Sequence, residues 1–97
     1  MDVKNNIKAL WKYLQDAFEM EEIEAGFAAT IEGFEYKPAE IQDEIIDALT
    51  EESARALLFD IGIMSVNELF GGDFRTWNEV LECSLGFDEE VIDFLNY

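Results

Sequence analysis

Apolar residues recur along this chain at helical intervals more often than at the two-residue alternation of a strand. Val3, Ile7, Leu10, Trp11, Leu14 and Phe18 follow one another at steps of three and four, which predicts a first helix from Val3 to about Met20. Lys4, Lys8 and Lys12 fall on another face of it. The pattern then divides. Ile23, Phe27, Ile31 and Phe34 again fit a helix, whereas Gly26, Gly33 and the pieces Thr30-Ile31 and Phe34-Glu35-Tyr36 suit a short β-hairpin near residues 25–37. Alternation there is not clean, so helix is the first expectation and hairpin the second.

Lys37-Pro38 opens the next predicted helix, with proline at the first position, where its missing amide donor does no harm. Ile41, Ile45, Ile46 and Leu49 form its inward stripe. Thr50 caps a further helix carrying Ala54, Leu57, Leu58 and Ile61, and Gly62 is expected to end it. Ser65-Val66-Asn67-Glu68 and Thr76-Trp77-Asn78-Glu79 both have capping-box spacing and predict two short helices, separated by Gly71-Gly72. Gly86 ends the second, and Asp88 begins a last helix with Val91, Ile92, Leu95 and Tyr97. The expected fold is mainly α, a compact bundle of five or six short helices, or α+β if the hairpin forms. Residues 1–97 make a single domain, with residues 1–36 as an N-terminal helical arm packed on a helical core of residues 37–97. Trp11, Phe27, Leu57, Phe70, Trp77 and Leu81 are the expected core.

Composition sharpens this picture. The chain has 97 residues, too few for two independent cores. It carries 23 Asp and Glu against 6 Lys and Arg, a formal charge of -17, yet 49% of its residues are hydrophobic. Chains kept disordered by charge lack that apolar mass, so a folded, strongly acidic globule is implied. Its field repels polyanions, which excludes direct binding to DNA, RNA or an anionic membrane and favours a basic partner. The charge is also asymmetric: residues 1–15 hold one acid and three bases, while residues 16–97 hold 22 acids and three bases. An internal electrostatic clamp is the first reading of the lysine stripe, and an interaction face the second.

Chemistry is narrowed by what is missing. Cys83 is alone and there is no His, so neither a disulfide framework nor a multi-thiolate zinc site can form, and Ser53, Ser65 and Ser84 have no imidazole to activate them. Gly71-Gly72 lacks the lysine of a phosphate-cradling loop, and no Asp-x-Asp-x-Asp-Gly calcium loop occurs. No catalytic residue, metal or cofactor is expected. The N-terminus has no secretory pattern and no apolar run reaches about 18 residues, so a soluble intracellular protein is expected.

The carboxylates are the remaining lead. Glu40, Asp43, Glu44 and Asp47 form one stripe opposite the isoleucines if residues 38–49 are a single helix. Carboxylates one turn apart are then about 6 Å apart along the axis, comparable in scale with a phosphate backbone that advances ~3.4 Å per nucleotide along the duplex. Glu21, Glu22 and Glu24 form a second cluster, following Glu19, and Glu32 with Glu35 a third; Asp88, Glu89, Glu90 and Asp93 form a fourth. Each is also what the solvated face of an amphipathic helix looks like. Solubility, however, needs a charge of only about 2–8 in a small domain, and excess like charge destabilises the compact state.

In its whole-chain character, short, without His, with one Cys and extreme acidity over a sound apolar core, the sequence resembles the small phage and prophage proteins that imitate DNA, and specifically anti-CRISPR proteins of the type I-F class. That resemblance implies a phage- or prophage-encoded inhibitor, acting in the cytoplasm of a bacterial host. It would occupy the basic nucleic-acid-binding groove of a multi-subunit CRISPR-Cas surveillance complex and block target DNA. Glu40, Asp43, Glu44, Asp47, Glu21, Glu22, Glu24, Glu32 and Glu35 are the candidate contacts. A second, local resemblance covers residues 49–91. Leu49-Thr50-Glu51-Glu52-Ser53-Ala54-Arg55-Ala56-Leu57-Leu58, followed by Ile61-Gly62-Ile63-Met64-Ser65-Val66-Asn67-Glu68-Leu69, is similar to a helix-hairpin-helix repeat, with Leu85-Gly86-Phe87-Asp88-Glu89-Glu90-Val91 as a second hairpin. Acids stand where that family's phosphate-binding lysines would be. This resemblance implies an acidic interaction module bound to transcription machinery.

Overall fold

Asp2 starts the fold. Its carboxylate accepts hydrogen bonds from the backbone amide of Asn5 at 3.4 Å and from the Asn5 side chain at 2.6 Å. From this cap, in the computed structural model, which describes residues 1–96, helix α1 runs Val3–Ala17. It buries Val3, Ile7, Leu10, Trp11 and Leu14, the predicted face. Phe18 is extended and ends the helix, its amide donating to the Leu14 carbonyl.

Residues 21–37 combine both readings. Helix α2 (Met20–Gly26) buries Ile23, and the chain then forms the hairpin, β1 (Ala29–Ile31) antiparallel to β2 (Phe34–Tyr36). The register pairs Ala29 with Tyr36, Thr30 with Glu35 and Ile31 with Phe34. Glu32 and Gly33, at φ 51° and 85°, make the two-residue turn whose twist matches that of paired strands.

The single helix expected from Pro38 to Leu49 is broken in two. A 3-10 turn spans Pro38–Glu40, Ile41 and Gln42 leave helical geometry, and α3 covers only Asp43–Asp47. The reason is packing phase. Ile41 and Ile46 are both buried, and five residues on a continuous α-helix would point them about 140° apart. Two non-helical residues reset the phase, which leaves Ile45 half-buried.

Helix α4 (Glu51–Met64) begins at Thr50, whose hydroxyl accepts from the Ser53 amide at 3.1 Å, as predicted. Gly62 does not end it. The helix passes through Gly62, and a Cβ there would lie 2.8 Å from Leu95 Cδ2, so the missing side chain admits the last helix. The two predicted capping boxes are also corrected. Ser65 is buried within the continuing helix and donates to the Ile61 carbonyl at 2.7 Å, a bond that serves it better than an exposed cap. Helix α5 (Phe74–Glu79) is capped by Asp73, not Thr76: the Asp73 carboxylate accepts from the Thr76 amide and hydroxyl at 3.2 and 2.7 Å.

α4 and α5 end in the same way. Each widens into a π turn, Ser65–Leu69 and Val80–Ser84. Phe70 then donates to Ser65 and Leu85 to Val80, both at 2.9 Å, and Gly72 donates to Val66 and Phe87 to Leu81. A glycine with positive φ follows in each, Gly71 and Gly86, and an Asp cap restarts the chain, Asp73 and Asp88. The reversal is used twice, and its second use leads into α6 (Glu89–Leu95). Tyr97, expected to close that helix, lies outside the described residues.

α4 is the central element, touching α1, α6 and β1. Each fully buried Leu or Ile contributes on the order of 1.5–3 kcal/mol, and Leu57, Leu58 and Ile61 put three of them on this helix. Trp11, Phe27, Leu57, Trp77 and Leu81 are buried as expected, whereas Phe70 is only half-buried. It stands at the core's edge between Phe18 and Trp77, with both ring centroids 5.5 Å away. The Cα radius of gyration, 12.4 Å, matches the value of about 12.5 Å for a globule of this length. Val3, Ile7, Leu10, Trp11 and Leu14 of α1 lie in the same buried cluster as Leu57, Leu58 and Ile61 of α4.

Candidate functional site

All 23 carboxylates of the chain are exposed. The apolar stripes were satisfied first, and every acid was left to the water side of its helix or turn. Among the described residues, four carboxylates have a cationic group within 4 Å: Asp47 with Lys8, Glu51 with Arg55, Glu79 with Arg75, and Glu90 with the N-terminus. The Arg55 and Arg75 pairs are one-turn neighbours on exposed helix surface, where such pairs contribute little. The surface potential is therefore strongly negative and largely uncompensated.

The stripe Glu40, Asp43, Glu44, Asp47 is exposed throughout, but it is not one helix face, because the break at Ile41–Gln42 falls inside it. Its two ends have structural tasks. Glu40 Oε2 accepts from the Lys37 backbone amide at 2.8 Å and holds the 3-10 turn. Asp47 is where the lysine stripe lands: Lys8 Nζ donates to its carboxylate at 2.6 Å and Lys4 Nζ to its backbone carbonyl at 2.8 Å. That hydrogen bond, with the charges of Asp47, Asp43 and Asp2, holds Lys8 above the usual lysine range. The clamp reading thus describes Lys4 and Lys8; Lys12 is exposed and makes no ion pair among the described residues. Asp43 and Glu44 are the free middle of the stripe, and with Trp11 and Gln15 they line a shallow open groove.

Glu21, Glu22 and Glu24 stand exposed around Ile23 on α2, the first two in its first turn, where the helix dipole favours negative charge. α2 packs against the 3-10 turn that carries Glu40. Glu35 lies on the outer face of the hairpin, paired with Thr30. Glu32 is at the hairpin tip, its Oε1 accepting from the Ser53 hydroxyl at 3.2 Å. The tip shares a small groove with Ile45 and Ala48 of the α3 region. The three clusters thus occupy a connected run of elements, α2, the 3-10 turn, α3 and the hairpin.

Sequence reasoning missed two residues here. Phe34, which the apolar spacing sets in series with Ile23, Phe27 and Ile31, keeps 68% of its surface in water. The Glu32-Gly33 turn beside a three-residue strand was the signal for it. Asp60, exposed as a residue, has its carboxyl partly desolvated in a groove with Phe27, Met64 and Glu68, which raises it above the usual range. No group of three or more His, Cys, Asp or Glu able to hold a metal occurs among the described residues, and no helix there is long and apolar enough to cross a membrane. Of the residues that carry the helix-hairpin-helix resemblance, Glu51–Leu58 and Ile61–Met64 lie in one helix, α4. No protein-family model, curated protein or solved structure matches the chain.

Proposed function

We propose that the protein is a charge mimic of duplex DNA, an inhibitor that occupies the basic DNA-binding groove of a bacterial CRISPR surveillance complex and blocks target binding. The observation that carries this reading is the exposure of all 23 Asp and Glu side chains around a buried apolar core, only four of them paired with a cation among the described residues. In mechanism the inhibitor is competitive. Asp43, Glu44, Glu21, Glu22 and Glu24 accept from arginines and lysines that otherwise hold phosphates, and the release of counterions makes affinity fall with salt. Glu40, Asp47, Glu32 and Glu35 extend the same acidic surface.

The test is competition on a purified surveillance complex. Added protein is expected to displace labelled duplex, read by gel mobility shift, and to leave guide RNA bound. Protein and duplex bound together without interference would overturn the proposal. Charge reversal at Asp43, Glu44, Glu21 and Glu22 together is expected to weaken displacement at least tenfold, since each lost hydrogen bond to a charged group costs roughly 1.5–3 kcal/mol. Reversal of Glu79, which pairs with Arg75 in a surface helix, is expected to leave it within about twofold.

A further inference from the structure

The hairpin tip combines features that a merely solvated turn does not need. Glu32 holds φ 51°, a conformation that Asn, Asp or Gly adopts at lower cost. Ile31 and Phe34 are cross-strand partners on one face, yet Ile31 is buried and Phe34 is the most exposed large apolar residue among those described. Phe34 overhangs a slot of about 150 Å³, lined also by Glu32, Tyr36, Ile45, Ala48 and Leu49. Two aromatic rings, an aliphatic floor and one carboxylate therefore converge on a space of side-chain size.

We propose that this slot is an arginine-reading anchor, seating one arginine side chain of the basic partner protein. The inference rests on the charge-mimic reading for the partner, but not for the chemistry of the slot. Charge complementarity selects the occupant: a second copy of the chain would bring another -17, and a nucleic acid or an anionic lipid surface is repelled likewise. The guanidinium is planar and weakly hydrated, so it stacks on the Phe34 ring while donating to the Glu32 oxygen that Ser53 does not use. The methylene stem covers Ile45, Ala48 and Leu49. A lysine ammonium, compact and strongly hydrated, gains less from the same walls.

The experiment is an NMR titration of the labelled full chain with N-acetyl-L-argininamide, and in parallel with N-acetyl-L-lysinamide. Saturable shifts are expected at Phe34, Tyr36 and Ile45, with the arginine probe about threefold to fivefold tighter, as an exposed cation–π contact supplies. Phe34→Ala is expected to abolish the localised shifts with Tm unchanged, and Glu32→Gln to weaken them. An equal response to both probes, or shifts spread over all the acidic clusters, would overturn the slot. Should Phe34→Ala fail to fold, the comparison of the two probes on the native chain decides alone. The titration needs no partner, so loss of duplex displacement with the arginine response intact would sink the mimic reading and leave the slot standing.

Discussion

Asp60 and Asp73 are carboxylates pushed in opposite directions by their surroundings, and each sets a pH dependence. In the groove with Phe27, Met64 and Glu68, burial alone raises Asp60. The folded chain therefore binds that proton more tightly than the unfolded chain, and stability falls as pH rises from the ordinary carboxylate range through the raised value. At neutral pH the charged Asp60 costs stability. Asp60→Asn is expected to raise Tm at pH 7, with the gain shrinking toward nothing near about pH 3.5. A gain that is flat across that range would show Asp60 to be as well hydrated as its neighbours. Asp73 runs the other way. Its hydrogen bonds from Thr76 hold it below the usual range, so what it contributes is present above that range and is lost on acidification.

At the scale of elements, the sequence made plain what depends on local chemistry. The α1 stripe, the Thr50 and Asp88 caps and the Gly71-Gly72 and Gly86 breaks all act through neighbours in the chain, and all stand as read. What failed depends on distant partners. Gly62 looks like a stop because glycine ends helices, but it is kept small by Leu95, which is remote in sequence. Ser65 looks like a cap until the burial of its hydroxyl is known. The acidic stripe was legible as composition, while its division by Ile41 and Gln42 followed from the core's demand to bury both Ile41 and Ile46. Phe34 was invisible as a surface residue because periodicity cannot tell an inward face from one that overhangs the core's edge. The α4–α6 contact yields a direct test. Gly62→Ala gains up to about 1 kcal/mol of helix propensity but overpacks Leu95 at a cost of about 1–3 kcal/mol, for a net loss of roughly 1 kcal/mol. Leu95→Ala in the same chain is expected to relieve the clash, so that the two changes together cost less than their sum by denaturant melting. Gly62→Ala raising stability would show that the helices do not approach so closely.

For the molecule as a whole, a charge of -17 within a radius of gyration of 12.4 Å means that the folded state works against its own field. Raising NaCl from about 10 mM to 0.5 M shortens the screening length from about 30 Å to below 8 Å and is expected to raise Tm, measured by calorimetry, while weakening any ionic attachment to a partner. A Tm that falls over that range would mean the few ion pairs outweigh the repulsion. The placement of α1 has a further consequence, in time. On the ribosome α1 is made before the elements it packs against, α2, α3 and α4, and before Asp47, which Lys4 and Lys8 reach. Until α4 has emerged, the apolar side of this amphipathic helix lacks the surface it shares with that helix. In that interval the three lysines of α1 precede a stretch, residues 16–97, that brings 22 acids and only three bases.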